Sequence, residues 1–198
     1  MDKLIFVILG KSGAGKTHLA KEICKYFNYE KIVNTTSRPK RKGEIHGVDY
    51  FFRSKEEMLK MSNENKFIEI NSYNGWFYGT EEKETVEKIK NNCVIVLEPK
   101  GYREYKKAYG DRVIGIYIDV EDKIRLLRAL QREDKPNCYE ICRRLLADTE
   151  DFKTIETDET IIKINNNSSL TYAINDLKDV IVEALNNRYW ENYHKERK

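Results

Sequence analysis

Apolar and polar positions fall into blocks that switch between two periods. Leu4–Leu9 is an unbroken apolar run, the pattern of a parallel strand covered on both faces. Lys16–Phe27 follows, with Leu19, Ile23 and Phe27 at helical spacing. Asn34–Phe52 breaks the rhythm: it is basic, holds Pro39, Gly43 and Gly47, and ends in the strand-like Val48-Asp49-Tyr50-Phe51-Phe52. Ser54-Lys55-Glu56-Glu57 is a capping-box signature that predicts a helix carrying Met58 and Leu59. Lys66–Ile70 and Trp76–Tyr78 read as short strands around the turn pair Asn74-Gly75, and Glu81–Lys90 as a polar helix. Cys93–Leu97 and Val113–Ile118 are again buried strands.

The second half of the chain is more helical. From Glu121 to Phe152 runs a stretch dense in arginine, interrupted near Lys135-Pro136-Asn137. Ile161–Ile164 reads as a last short strand. Leu170–Leu185 reads as a terminal helix with Ile174, Leu177, Ile181 and Leu185 on one stripe, before a mixed tail from Asn186 to Lys198. Alternating strands and helices predict an α/β fold with a mainly parallel sheet. The irregular Asn34–Thr80 stretch and the arginine-rich break read as two insertions on it.

Composition narrows the classes. The 198 residues suit one domain, long enough to bury a core without disulfides or metals. A 40% hydrophobic fraction excludes a disordered chain. Charged residues are abundant but balanced, Lys+Arg 36 against Asp+Glu 33, so a nucleic-acid polymer is not the expected partner. No stretch approaches the roughly 20 apolar residues of a membrane span. The first apolar run is too brief for a secretory leader and runs straight into glycines. The cysteines (Cys24, Cys93, Cys138, Cys142) form no CxxC pair. Cys138 and Cys142 stand four apart on a predicted helix without a nearby histidine, so reduced thiols and a cytoplasmic setting are expected.

Gly10-Lys11-Ser12-Gly13-Ala14-Gly15-Lys16-Thr17 fits G-x-x-x-x-G-K-[ST], with a strand before it and a helix after it. Glycines let consecutive backbone N–H groups turn toward phosphate oxygens, and the positive end of the following helix adds to that field. Lys16 can reach the β- and γ-phosphates, and the Thr17 hydroxyl can serve Mg²⁺. The motif predicts binding of a nucleoside triphosphate but says nothing of the phosphoryl acceptor. A second constellation runs from Thr35 to Tyr50. Arg38 and Arg41 stand three apart in a Gly/Pro-rich segment with Tyr50 downstream, a set that suits a monoester phosphate.

This block resembles the nucleotide-binding segment of guanylate kinases, which reads close to T-T-R-x-P-R-x-G-E-x-x-G-x-D-Y. Phe67-Ile68-Glu69 is similar to the family's F-I-E and Tyr78-Gly79-Thr80 to its Y-G-[TS]; the motifs keep the family order over roughly residues 3 to 185. The resemblance implies a P-loop NTPase fold with a parallel core flanked by helices (1–33, 81–123 and 147–187). It also implies an inserted NMP-binding lobe (34–80), a helical lid (about 124–146) and a tail (188–198).

It further implies that Arg38, Arg41, Tyr50 and Tyr78 hold the acceptor's 5′-phosphate. Asn34 or Thr35 stands where the family often has serine, and Lys11 where it often has proline. Glu69 and Thr80 would read guanine, whose N1–H and N2–H₂ suit a carboxylate and whose O6 suits a hydroxyl. Adenine would leave Glu69 unpaired.

Val94–Gly101 resembles the family's strand ending D-x-D-x-x-G. Anchored on Gly101, Glu98 matches the second acid, which contacts guanine, and Val96 stands at the first. Anchored on Leu97, Glu98 becomes the first acid, near metal and phosphates. Arg128, Arg132, Arg143 and Arg144 flank the break at Pro136 and resemble the family's lid arginines, with Arg132 and Arg144 matching its spacing best. The activity implied is Mg²⁺-dependent phosphoryl transfer from ATP to GMP or dGMP, with Lys16, Arg38, Arg132 and Arg144 as catalytic groups, in a monomer or homodimer. Two alternatives remain: a related P-loop kinase acting on another phosphorylated acceptor, and a non-catalytic guanylate-kinase-like binding module. An intact Lys16 and Thr17 speak against the second.

Overall fold

The computed structural model describes residues 3–41, 43–73, 75–131 and 135–195. Its centre is β1 (Ile5–Leu9), flanked by β7 (Cys93–Val96) and β8 (Val113–Asp119), with β2 (Glu30–Lys31) and β9 (Ile162–Asn165) at the edges. The strand order is β2-β7-β1-β8-β9 and every pairing is parallel, with Ile5 in register with both Cys93 and Val113. The unbroken apolar run of β1 has a direct cause: both faces of the sheet are covered. Leu4, Phe6 and Ile8 pack with Leu19 and Ile23 of α1 (Lys16–Phe27) and with Ala173, Leu177 and Ile181 of α8 (Leu170–Lys195). Ile5, Val7 and Leu9 face the opposite core, with Tyr102 and Tyr105 of α4 (Pro99–Tyr109) and with Phe152 and Ile155.

A second sheet, of order β4-β3-β6-β5, stands on the first. It comprises β3 (Thr35–Thr36), β4 (Phe51–Phe52) and the antiparallel hairpin β5 (Phe67–Tyr73) and β6 (Trp76–Glu81). The hairpin is longer than the sequence pattern predicts, while only the last two residues of Val48–Phe52 are strand. Between β4 and β5, α2 (Lys55–Asn63) opens with the expected capping box. The Ser54 hydroxyl accepts from the Glu57 N–H at 3.0 Å and the Glu57 carboxylate accepts from the Ser54 N–H at 2.7 Å. The polar helix is α3 (Glu82–Lys88).

The helix α4 is an addition to the sequence reading, which placed no helix between the strands Cys93–Leu97 and Val113–Ile118. The strand stops at Val96, because Pro99 has no N–H for a sheet ladder but fits the first turn of a helix. The arginine-rich stretch divides into α5 (Asp122–Leu130) and α6 (Cys138–Asp151), the latter capped by the Asn137 side chain, which accepts from the Glu140 N–H at 3.1 Å. The short α7 (Lys153–Glu156) leads to β9. The last helix continues to Lys195 rather than ending at Leu185. All four cysteines are free thiols. Among the described residues no helix is long and apolar enough to cross a membrane, and no group of His, Cys, Asp or Glu is clustered as a metal site.

Candidate active site

The loop from Gly10 to Gly15 joins β1 to α1. Gly13 has φ +84°, and a Cβ there would lie 2.6 Å from the Arg125 main-chain oxygen, so both conformation and space demand glycine. Gly15 caps α1 without a side chain, and no acidic residue stands in the first turn. The positive helix end is therefore left for an external anion. The Lys16 ammonium donates to the Gly10 carbonyl and lies 3.4 Å from Glu98 Oε1. Thr17, the next residue, is exposed. Lys11 pairs with Glu156 at 2.6 Å, and Glu156 also accepts from the Tyr117 hydroxyl at 3.0 Å.

Strand register builds the second half of the site. The β5/β6 pairing sets Glu69 directly opposite Thr80, and Asn71 lies two residues on, on the same face. Thr80 Oγ1 donates to Glu69 Oε1 at 2.9 Å, and Asn71 Nδ2 donates to Oε2 at 2.9 Å. A side chain at Gly79 would meet the Glu69 carbonyl at 2.7 Å, so glycine there lets the strands close. Glu69 is 8% exposed. Burial pushes its carboxyl up to about 7, against the Thr80 and Asn71 hydrogen bonds and the Lys100 charge; the nearby Glu98 charge adds to the rise.

Nearby, Arg38 NH2 donates to Glu44 Oε1 at 2.7 Å, and its guanidinium lies 5.5 Å from the Tyr50 ring centre. Burial works against the Arg38 charge, but the Glu44 bond and charge outweigh it and raise the pKa. The Arg41 N–H donates to the other Glu44 oxygen at 2.8 Å. The Tyr50 and Tyr78 rings meet edge to face at 6.3 Å, and burial, then Tyr78, raises the Tyr50 phenol. Arg38, Arg41, Tyr50 and Tyr78 thus share one corner of the lobe.

Thr35 is fully buried and its hydroxyl donates to Glu81 at 2.7 Å, so it has no face for a ligand. Asn34 keeps a partly exposed side chain, which donates to the Val96 carbonyl at 3.2 Å. Glu98 is not sequestered beside Glu69: its side chain is 63% exposed and reaches Lys16, so it stands between the phosphate loop and the lobe. Arg132 lies outside the described residues. Arg144 is half-buried on α6, beside Arg143, which grips Glu140 with two bonds of 2.8 and 3.0 Å. The Arg143 bond, and then the charges of Arg143, Arg144 and Arg41, hold the Glu140 carboxyl below its usual range, so α6 and the basic loop of the lobe share one electrostatic neighbourhood.

Sequence reasoning missed Asn71, Glu156, Arg125, Asp148 and Asn166. Asn166 donates from Nδ2 to the Ala14 carbonyl at 2.9 Å, holding the loop from the β9 end, and its own carbonyl accepts from Arg128 at 2.9 Å. Only an Asx residue after a predicted strand could have signalled it.

A glycine loop between the central strand of a parallel sheet and a helix, a lysine at the helix start, and a second sheet whose buried Glu69 senses the same Glu98 that reaches that lysine define a phosphate-loop α/β nucleotide-binding protein. The sequence profile described as guanylate kinase matches residues 2–184. A guanylate kinase of Mycoplasma genitalium is 30% identical over 185 residues, covering 91% of this chain and 76% of the relative. One of Chlorobaculum tepidum is 35% identical over 144 residues, 71% of this chain and 74% of the relative. A crystal structure of a guanylate kinase from Anaplasma phagocytophilum shares the fold, with TM-score 0.69 and 19% identity over 92% of this chain and 87% of the other. The chain belongs to the guanylate kinase family.

Proposed function

We propose that this protein transfers the γ-phosphoryl group of magnesium ATP to the 5′-phosphate of GMP or dGMP, giving ADP and GDP or dGDP. The observation that carries the reading is the buried Glu69 carboxylate, clasped by Thr80 and Asn71 in the lobe that also holds Arg38 and Arg41. A base with adjacent N–H donors repays the burial of that carboxylate; a base without them does not.

The roles follow from the chemistry. The loop amides not already bonded within the protein and the Lys16 ammonium take the donor phosphates, with Lys16 leaving Gly10 and Glu98 for them; the Ser12 N–H is held by Asp148. Magnesium enters with ATP as part of the substrate. The exposed Thr17 hydroxyl is a hard oxygen donor at the helix start, which suits an ion held mainly by phosphates and water. When bound, the ion draws charge off the β- and γ-phosphates. Arg38, Arg41, Tyr50 and Tyr78 orient the acceptor phosphate, with Asn34 at the edge of that corner. That phosphate is anionic at neutral pH and needs no general base.

Arg144, with Arg132, meets the transferring group as the lid (about 124–146) closes over the lobe (34–80) and excludes water. Glu98 stands by Lys16, and its charge reaches Glu69, so it contributes to both halves of the site. One chain supplies every group, which a monomer or homodimer satisfies equally, and free thiols suit the cytoplasm. The test is turnover on GMP, dGMP, AMP and dTMP side by side. GMP and dGMP should exceed AMP by about 100-fold or more in kcat/KM. Equal rates on all four, or none on GMP, would overturn the reading.

A further inference from the structure

Arg125 is the largest fully buried side chain among the described residues, 1% exposed, and it sits directly against the phosphate loop. A buried guanidinium is costly unless it is paired and hydrogen-bonded. Its NH1 group makes two of them, to the Ser12 carbonyl and to Asp148 Oδ2, both at 3.0 Å. NH2 donates to Asp122 Oδ1 at 2.6 Å. Asp148 in turn accepts from the Ser12 N–H at 2.7 Å. The two backbone groups of Ser12 are thus both tied, the carbonyl to Arg125 and the amide to Asp148. Gly13 lies so close to Arg125 that it has no room for a Cβ.

The pair also has a telling place in the chain. Arg125 is on α5, at the start of the segment read as the lid, and Asp148 is on α6, just past its end. We propose that Arg125 and Asp148 are positioning residues: a buried ion pair that fixes the phosphate loop at Ser12 and joins both ends of the lid to it. The clamp turns the Ser12 N–H outward to a carboxylate, which leaves the following amides to converge on phosphate. It touches no substrate. Its effect reaches the reaction through loop geometry, where displacements of about an ångström cost up to a hundredfold. The inference rests on the loop's binding a nucleoside phosphate and not on guanine recognition.

The experiment compares the wild type with the paired variant Arg125→Met/Asp148→Leu. That pair replaces the ions with apolar side chains of similar size, an exchange that buried ion pairs tolerate in other folds. Thermal unfolding establishes that the variant is folded, and calorimetry with ADP and with GMP reads the two halves of the site. Expected is a loss of ADP affinity of about tenfold or more, a matching fall in kcat/KM for ATP, and GMP affinity within about twofold of the wild type. A folded variant with wild-type ADP affinity and ATP kinetics would overturn the clamp, as would an equal loss toward both ligands. Should the paired variant not fold, Asp148→Ala removes the oxygen that accepts from both Ser12 and Arg125, leaves Arg125 paired with Asp122, and reads the same way. A fall in ADP affinity alone supports the clamp, and unchanged ADP affinity overturns it. Because ADP binding is read directly, absence of GMP turnover in the wild type would sink the proposed reaction without touching this test.

Discussion

Glu69 links stability, pH and substrate choice, so replacing it by glutamine is the most informative single change. In the folded protein the carboxyl titrates near 7 against an ordinary 4.5. The folded state therefore holds a proton between pH 4.5 and 7 that the unfolded chain has released, and stability falls as pH rises through that window. The full penalty is present above pH 7. At about 1.4 kcal/mol for each tenfold change it comes to about 3.5 kcal/mol. Glutamine carries no charge, yet it satisfies the same neighbours: its carbonyl accepts from Asn71, and its amide donates to the Thr80 hydroxyl, which can accept as well as donate. Urea unfolding at pH 8 should show Glu69→Gln more stable than the wild type by about 2–3 kcal/mol, and at pH 4.5 the two should coincide. The same change replaces an acceptor with a donor facing a guanine N–H, so GMP affinity should fall by about 30- to 1000-fold. In the wild type, GMP affinity should also weaken below pH 7, approaching tenfold per pH unit, because the proton must leave before both guanine donors are accepted. The variant should lose that slope between about pH 7 and 6, while below about pH 6 both proteins bind more weakly as the GMP phosphate itself takes up a proton. A stability difference that does not change with pH, or an unchanged GMP affinity, would refute the reasoning.

Lys16→Ala should abolish turnover, measured by coupled assay, while calorimetry still shows GMP binding, because the ammonium serves the donor half of the site. Arg38→Ala removes the buried guanidinium at the corner with Tyr50 and should raise the KM for GMP about 100-fold, with little change in the KM for ATP. Gly13→Ala forces a left-handed backbone on alanine and drives its methyl into the Arg125 carbonyl, so it should lower stability by about 2 kcal/mol or more in urea unfolding and eliminate ADP binding.

The parts of this fold that are legible in the sequence are those set by local rules. The β1 run, the glycine spacing of the loop and the stripe of α8 each follow from periodicity or backbone geometry within a few residues. The capping box of α2 does too. Thr35 and Asn34 could not be told apart from the sequence, because strand alternation is ambiguous for a strand as short as β3, in which both threonines are buried. Helix α4 is masked because its polar residues hide an inner face of Tyr102 and Tyr105, and because a resemblance to an extended motif ran across its start. Arg125 and Asp148 are 23 residues apart and meet only in three dimensions. In the sequence each reads as one more charge on a solvated helix face.

The cations facing the site are matched by carboxylates: Lys16 by Glu98, Lys11 by Glu156, Arg38 by Glu44. An arriving phosphate does not meet bare positive charge but competes with a carboxylate for each donor, and the binding free energy is the difference between the two. The competition is unequal across the site. The Lys16 partner is 63% exposed, so that pair is screened and cheap to exchange. The side chains of Arg38 and Glu44 are only 10% and 15% exposed, and separating them leaves Glu44 partly desolvated unless it swings to water. The donor half is thus built for ready exchange of nucleotide, and the acceptor half for a phosphate that must be matched closely enough to displace a well-held partner.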